Sequence, residues 1–150
     1  MIKQWKKLSG ALGLAFFAAL IPAQSQAQDG NNACPVDGCI VKISSVKVTD
    51  GELDMVFEAN FVPSMSKNHL HVWWGEQYDI KQVTANAEST YKMTQGVWHP
   101  TDEYPNYKTR GVISTAERGS AVTICVTASD RNHEVIDPEV MDCKNVADLF

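Results

Sequence analysis

From residue 40 onward, apolar and polar positions alternate with the two-residue period of half-buried strands. The run Ile40-Val41-Lys42-Ile43-Ser44-Ser45-Val46-Lys47-Val48 is rich in β-branched residues, and Thr49-Asp50-Gly51-Glu52 after it reads as a hairpin turn. Leu53, Met55, Phe57, Ala59 and Phe61 then share one face of a second strand, with Asp54, Glu58 and Asn60 on the other, and Pro63 stops it. In His69-Leu70-His71-Val72-Trp73-Trp74, the residues Leu70, Val72 and Trp74 form the inward set. His69, His71 and Trp73 form the opposite, solvated set. Gly75 closes this strand. A weaker strand is expected over 78–83, a short helix over 85–93, and a Pro- and Tyr-rich loop over 98–107. The last strong strand spans 121–128, with Val122, Ile124, Val126 and Ala128 inward. Asp130-Arg131-Asn132-His133 reads as a turn, and 134–136 as an antiparallel return.

The first 27 residues follow a different pattern. Lys3, Lys6 and Lys7 precede an apolar run from Leu8 to Ile21, then Pro22 and a stretch with small residues at alternate positions. A basic start, a short apolar middle and an A-x-A-like end are what a signal peptidase reads, and the cut is expected after Ala27. The run is shorter than the ~20 apolar residues a membrane span needs. The domain plan is therefore a signal peptide over 1–27, a polar arm over 28–39 and a β-sandwich over 40–150. The expected location is periplasmic or extracellular, and the leader suits a bacterial precursor. No membrane insertion is expected once the leader is gone.

Removing residues 1–27 from the 150-residue chain leaves 123, enough for one domain with a core. The whole chain carries −5 and the leader three lysines and no acid, so the remainder carries −8. With its basic residues scattered, such a chain has no long-range attraction for nucleic acid or anionic lipid. Cys34, Cys39, Cys125 and Cys143 all lie in the remainder. An even count in an exported chain reads as a disulfide framework. Pairing Cys34 with Cys39 and Cys125 with Cys143 joins neighbours in sequence across turn-forming residues. Neither pair has the C-x-x-C spacing of zinc knuckles or of redox motifs.

The stretches 52–61, 69–74 and 121–130 resemble the second, third and sixth strands of fibronectin type III and immunoglobulin-like domains, with Trp74 at the third strand's core position. The resemblance covers about half of the chain that follows the leader. It implies an all-β antiparallel sandwich carrying a short helix or long loop insertion, and a binding or adhesive scaffold. Two departures stand out: the cysteine pair that staples the sheets of antibody domains is absent, and the segment 85–107 is longer than that fold needs.

Two constellations could carry chemistry. Trp73, Trp98, Tyr104 and Tyr107, with Asp and Asn nearby, suit stacking on a glycan or anchoring a protein partner. His69 and His71, two apart on a strand, project from one face and can grip one copper or zinc ion. His99 is the expected third ligand, with His133 able to serve and Asp102 or Glu103 offering a carboxylate. No G-x-S-x-G, phosphate loop or H-E-x-x-H is present. The leading expectation is a non-catalytic, cofactor-free exported module that binds a protein or glycan through the aromatic residues. A metal-binding protein built on the H-x-H pair is the alternative, and a small secreted hydrolase using paired carboxylates comes third.

Overall fold

A computed structural model describes residues 34–150; the leader expected over 1–27 and most of the polar arm lie outside the described residues. The described chain is mostly β, in two antiparallel sheets without barrel closure. Strands β1 (Val41–Thr49), β2 (Glu52–Ala59) and β5 (Asn106–Lys108) form one sheet in the order β1-β2-β5. Strands β3 (His69–Trp74), β4 (His99–Thr101), β6 (Thr123–Ser129) and β7 (Asp142–Asn145) form the other, ordered β4-β3-β6-β7.

The hairpin of β1 and β2 turns on Asp50 and Gly51, at φ 54° and 79°, with Thr49 paired to Glu52. Two successive positive φ values are what a two-residue loop demands, and Asp-Gly meets that demand at low cost. The register of β1 on β2 shifts between Ile43 and Ser45. There the Ile43 N–H donates to Asp142 Oδ2 on β7 at 2.7 Å, tying the two sheets together.

The main core lies between the sheets. Leu53, Met55 and Phe57 from β2 meet Leu70, Val72 and Trp74 from β3 and Ile124, Val126 and Ala128 from β6, all nearly inaccessible to solvent. These are the inward sets that alternation marks out.

The outer face of the second sheet departs from expectation. Every residue of β3 is buried, His69 and His71 at 0% and Trp73 at 1% exposure. A second apolar layer covers that face: Trp73, Ile80, Val83, Cys125 and Val135 pack together, with Tyr78, Trp98 and Cys143 against them. The cover comes from the segment after β3 and the turn after β6. Residues 78–83 are not a strand but consecutive turns. Asp79 Oδ1 accepts from the Lys81 N–H at 2.9 Å, and the Gln82 N–H donates to the Asp79 carbonyl at 2.9 Å. Such side-chain capture of backbone donors competes with a sheet ladder. The helix expected over 85–93 is a single wide turn, Ala87–Tyr91, ended by Lys92 at φ 59° and burying only Ala87. The loop expected over 98–107 contains β4 and the start of β5. The return after β6 is reduced to one bridge, Ser129 with Val135.

Both disulfides form, Cys34–Cys39 and Cys125–Cys143, and suit an oxidising environment. The first ring is docked rather than loose. Cys39 is buried, Asn60 Nδ2 donates to the Gly38 carbonyl at 2.9 Å, and Asn60 Oδ1 accepts from the Ile40 N–H at 2.8 Å. Among the described residues no helix is long and apolar enough to cross a membrane.

Candidate metal centre

Strand β3 pairs with β6 so that His69 lies opposite Ser129, His71 opposite Thr127 and Trp73 opposite Cys125. Directly paired residues point to the same side, so these six side chains share the outer face. Four residues beyond Ser129, the turn brings His133 back over it. His133 sits at φ 62°, its N–H donating to the Asp130 carbonyl at 3.0 Å and its carbonyl accepting from the Ala85 N–H at 2.8 Å. Asp130 Oδ1 fixes the turn by accepting from the N–H groups of Asn132 and Glu134 at 2.8 and 3.0 Å. The left-handed conformation is uncommon for residues other than glycine, though histidine, like asparagine and aspartate, adopts it more readily than most.

The three rings converge. His69 Nε2 lies 2.9 Å from His133 Nδ1, and His71 Nε2 lies 3.4 Å from the same atom. One nitrogen from each ring falls within 4.8 Å of the others. The His69 ring meets His133 edge-on, with centroids 4.7 Å apart, while His71 and His133 stack at 5.6 Å. Trp98 lies against the far side of His71, centroids 4.9 Å apart and planes inclined by 29°. His133 and Trp98 are half-buried, so the cluster's approach to solvent is along them.

The hydrogen bonds dictate the protons. His71 Nδ1 lies 2.7 Å from the Val83 carbonyl, which can only accept, so that nitrogen carries the hydrogen and Nε2 keeps a bare lone pair. With its hydrogen on Nδ1, His133 can donate to both His71 Nε2 and His69 Nε2, and the His69 hydrogen then sits on Nδ1. Among the described residues, Ser129 Oγ on the paired strand is buried with no hydrogen-bond partner, as is Trp74 Nε1 in the main core, while the buried His69 ring is favoured toward protonation by the Lys67 backbone. A buried donor left unpaired costs about 1–3 kcal/mol and asks for an explanation.

Burial favours the neutral form of His69 and His71. Desolvation pulls His71 from 6.5 down to about 3, with the Val83 carbonyl opposing and the two neighbouring histidines adding to the fall. His69 is lowered by desolvation and then by His133, against weaker opposition from the Lys67 backbone, Asp130 and Asp102. Neutral imidazole is the form that binds metal. Moving one proton from His133 Nδ1 to its Nε2 would turn the hydrogen-bonded cluster into three converging lone pairs.

His99, the third ligand expected from the sequence, is elsewhere. It pairs with Val72, so it shares the inner face of the sheet, while Pro100 takes the side of His71. There His99 Nδ1 meets the Tyr107 hydroxyl of the other sheet at 3.0 Å. Desolvation lowers His99, and it raises Tyr107 well above the usual phenol value. Nor does a carboxylate join the cluster. Asp102 Oδ2 accepts from the Met65 N–H at 3.1 Å, and Glu103 pairs with Arg110.

The aromatic residues do not assemble into a surface. Trp73 is in the covering layer, its Nε1 donating to the Tyr78 carbonyl at 2.9 Å, and Tyr107 is 2% exposed in the main core, stacked on Phe57. Trp98 is turned onto His71, and of the four only Tyr104 is exposed, at 37%. A groove of about 850 Å³ lined by Gln77, Tyr78, Val97, Gly111, Val112 and Glu117 contains no histidine.

No protein family matches the chain, and no curated protein or solved structure is significantly similar to it.

Proposed function

We propose that the protein is an exported metal-binding domain that holds one copper or zinc ion through His69 Nε2, His71 Nε2 and His133 Nδ1. The observation that carries this reading is the convergence of three imidazole nitrogens within 4.8 Å, two of the rings buried and the third half-buried. Imidazole–metal bonds of about 2.0–2.1 Å put ligand nitrogens roughly 3.5 Å apart in a trigonal set. The contacts of 2.9 and 3.4 Å lie near that spacing, and the third pair of nitrogens is within 4.8 Å. Two further features support it. The Val83 carbonyl orients His71 as an outer partner orients a metal-bound histidine. His133 also occupies a left-handed turn position where a histidine earns its place through its ring.

Export rests on the basic and apolar leader over 1–27, on the two disulfides and on the absence of a free cysteine among the described residues. The strand orders β1-β2-β5 and β4-β3-β6-β7 support an immunoglobulin-like or fibronectin type III-like arrangement. On this reading the segment 75–98, between β3 and β4, is the lid of the metal pocket. The aromatic residues then serve the lid and the core rather than a protein or glycan partner.

The test is metal uptake by tag-free protein, measured by elemental analysis after equilibration with copper or zinc. About one equivalent is expected for the parent chain. His71→Asn and His133→Gly should each lose it. The glycine variant relieves the left-handed strain, so it should keep the parent's circular dichroism while failing to bind. Uptake undiminished in both variants, or none in the parent, would refute the site.

A further inference from the structure

We infer that the pocket selects a monovalent ion, Cu(I), over divalent zinc. This rests on the reading of the three histidines as a metal site and concerns which ion they take.

The donor set is electrically neutral. The cluster contains His69, His71 and His133 and no acid, and the cysteines of the described chain are all in disulfides, so no thiolate can join. Whatever charge the ion brings therefore stays on the site. His69 and His71 are fully buried, and the cost of placing charge in such a pocket rises with the square of the charge. A divalent ion carries about four times the burial cost of a monovalent one.

The nearest acids act through space and are not ligands. The carboxylates of Asp130 and Asp102 are close enough to favour a charged His69. Asp130, however, takes the Asn132 and Glu134 N–H groups and Asn132 Nδ2, and Asp102 takes the Met65 N–H.

Coordination number points the same way. Zinc in proteins is four-coordinate, with a carboxylate, thiolate or water completing three histidines. The other polar side chains on this face are Thr127, whose hydroxyl donates to the Val140 carbonyl at 2.6 Å, and Ser129, a neutral hydroxyl. Trp98, stacked on His71, offers no lone pair, but its electron-rich face favours a cation. Cu(I) is content with three nitrogen ligands in a plane. Three imidazoles with no acid or thiolate among them, two of them fully buried, and an aromatic wall form a site of that kind.

The experiment measures two dissociation constants on the tag-free protein. One is for Cu(I), under anaerobic conditions against a chromophoric Cu(I) chelator. The other is for Zn(II), against a chromophoric zinc chelator. Cu(I) is expected to bind at one equivalent and at least a hundredfold more tightly than zinc, and His133→Gly should lose that binding. Zinc binding as tight as Cu(I) or tighter would overturn the selectivity while leaving the metal site standing. Tight Cu(I) binding that survives in His133→Gly would overturn the assignment to this pocket. Binding of neither ion would remove the metal site itself and this inference with it.

Discussion

Burying His71 as a neutral ring makes the fold sensitive to acid, and the size of the effect follows from its surroundings. The ring is fully inaccessible and its pKa falls from 6.5 to about 3. Below about pH 6.5 the unfolded chain takes up a proton at this position and the folded chain does not, so acid favours unfolding. The contribution is nil above the unfolded value, grows as the pH falls, and levels off near pH 3, where the folded ring also protonates. At about pH 4.5 the difference is about 2 logarithmic units, or about 2.7 kcal/mol. His69 shifts in the same direction and adds to it. His71→Asn provides the control: asparagine keeps an N–H near Nδ1 for the Val83 carbonyl but does not titrate. Urea unfolding, with EDTA present, would be followed for both proteins at about pH 7 and pH 4.5. The parent should lose about 2.7 kcal/mol more than the variant between the two pH values, roughly 1.5–2 M in midpoint at a typical urea slope. Equal losses in the two proteins would refute the claim that the folded ring stays neutral.

Two other predictions concern the layer over the histidines. A Cβ at Gly96 would sit 2.6 Å from Tyr78 Cδ1, and Tyr78 supplies the carbonyl for Trp73 Nε1. Gly96→Ala should therefore cost about 1–3 kcal/mol of stability and raise hydrogen exchange in the lid, while unchanged exchange would show that the ring gives way freely. The Cys125–Cys143 bridge joins β6 to β7 across 18 residues, and replacing both cysteines with alanine should lower the unfolding free energy by about 3 kcal/mol in denaturant titrations.

Strands β2, β3 and β6 were legible because each turns one alternating apolar set toward the main core, and a period of two survives any loop arrangement around it. The cysteine pairs were legible for a similar reason: each joins residues that local turns already bring near. The lid was not, because residues 75–98 hold their shape through side-chain bonds to nearby backbone, such as those of Asp79 and Gln82, which leave no periodic signal. Missing the lid turned a buried face into a supposedly solvated one, and Trp73 into a surface residue. The third histidine was open to better reasoning. Once β4 pairs beside β3, the parity of Val72 with His99 sends His99 inward. The antiparallel pairing of β6 carries the chain past Ser129, opposite His69, into a turn that must fold back over it. What the sequence alone could not supply was the left-handed conformation at His133 that aims its ring.

The lid also explains why polar residues can occupy the middle of this sheet at all. A histidine pair on a solvated strand would be free to protonate, reorient and exchange its partners with water. Under the lid, Val83 fixes His71 from the chain side and Trp98 presses on its face, so the ring has one orientation available. Thr84 links the same lid segment to the histidine turn: its hydroxyl accepts from the Val135 N–H at 3.0 Å, and the Ala85 N–H binds the His133 carbonyl. Lid and turn therefore move together. On the proposed reading, these bonds tie the histidine turn to the segment that shields it, which suits a site that holds an ion rather than one that offers it to a substrate.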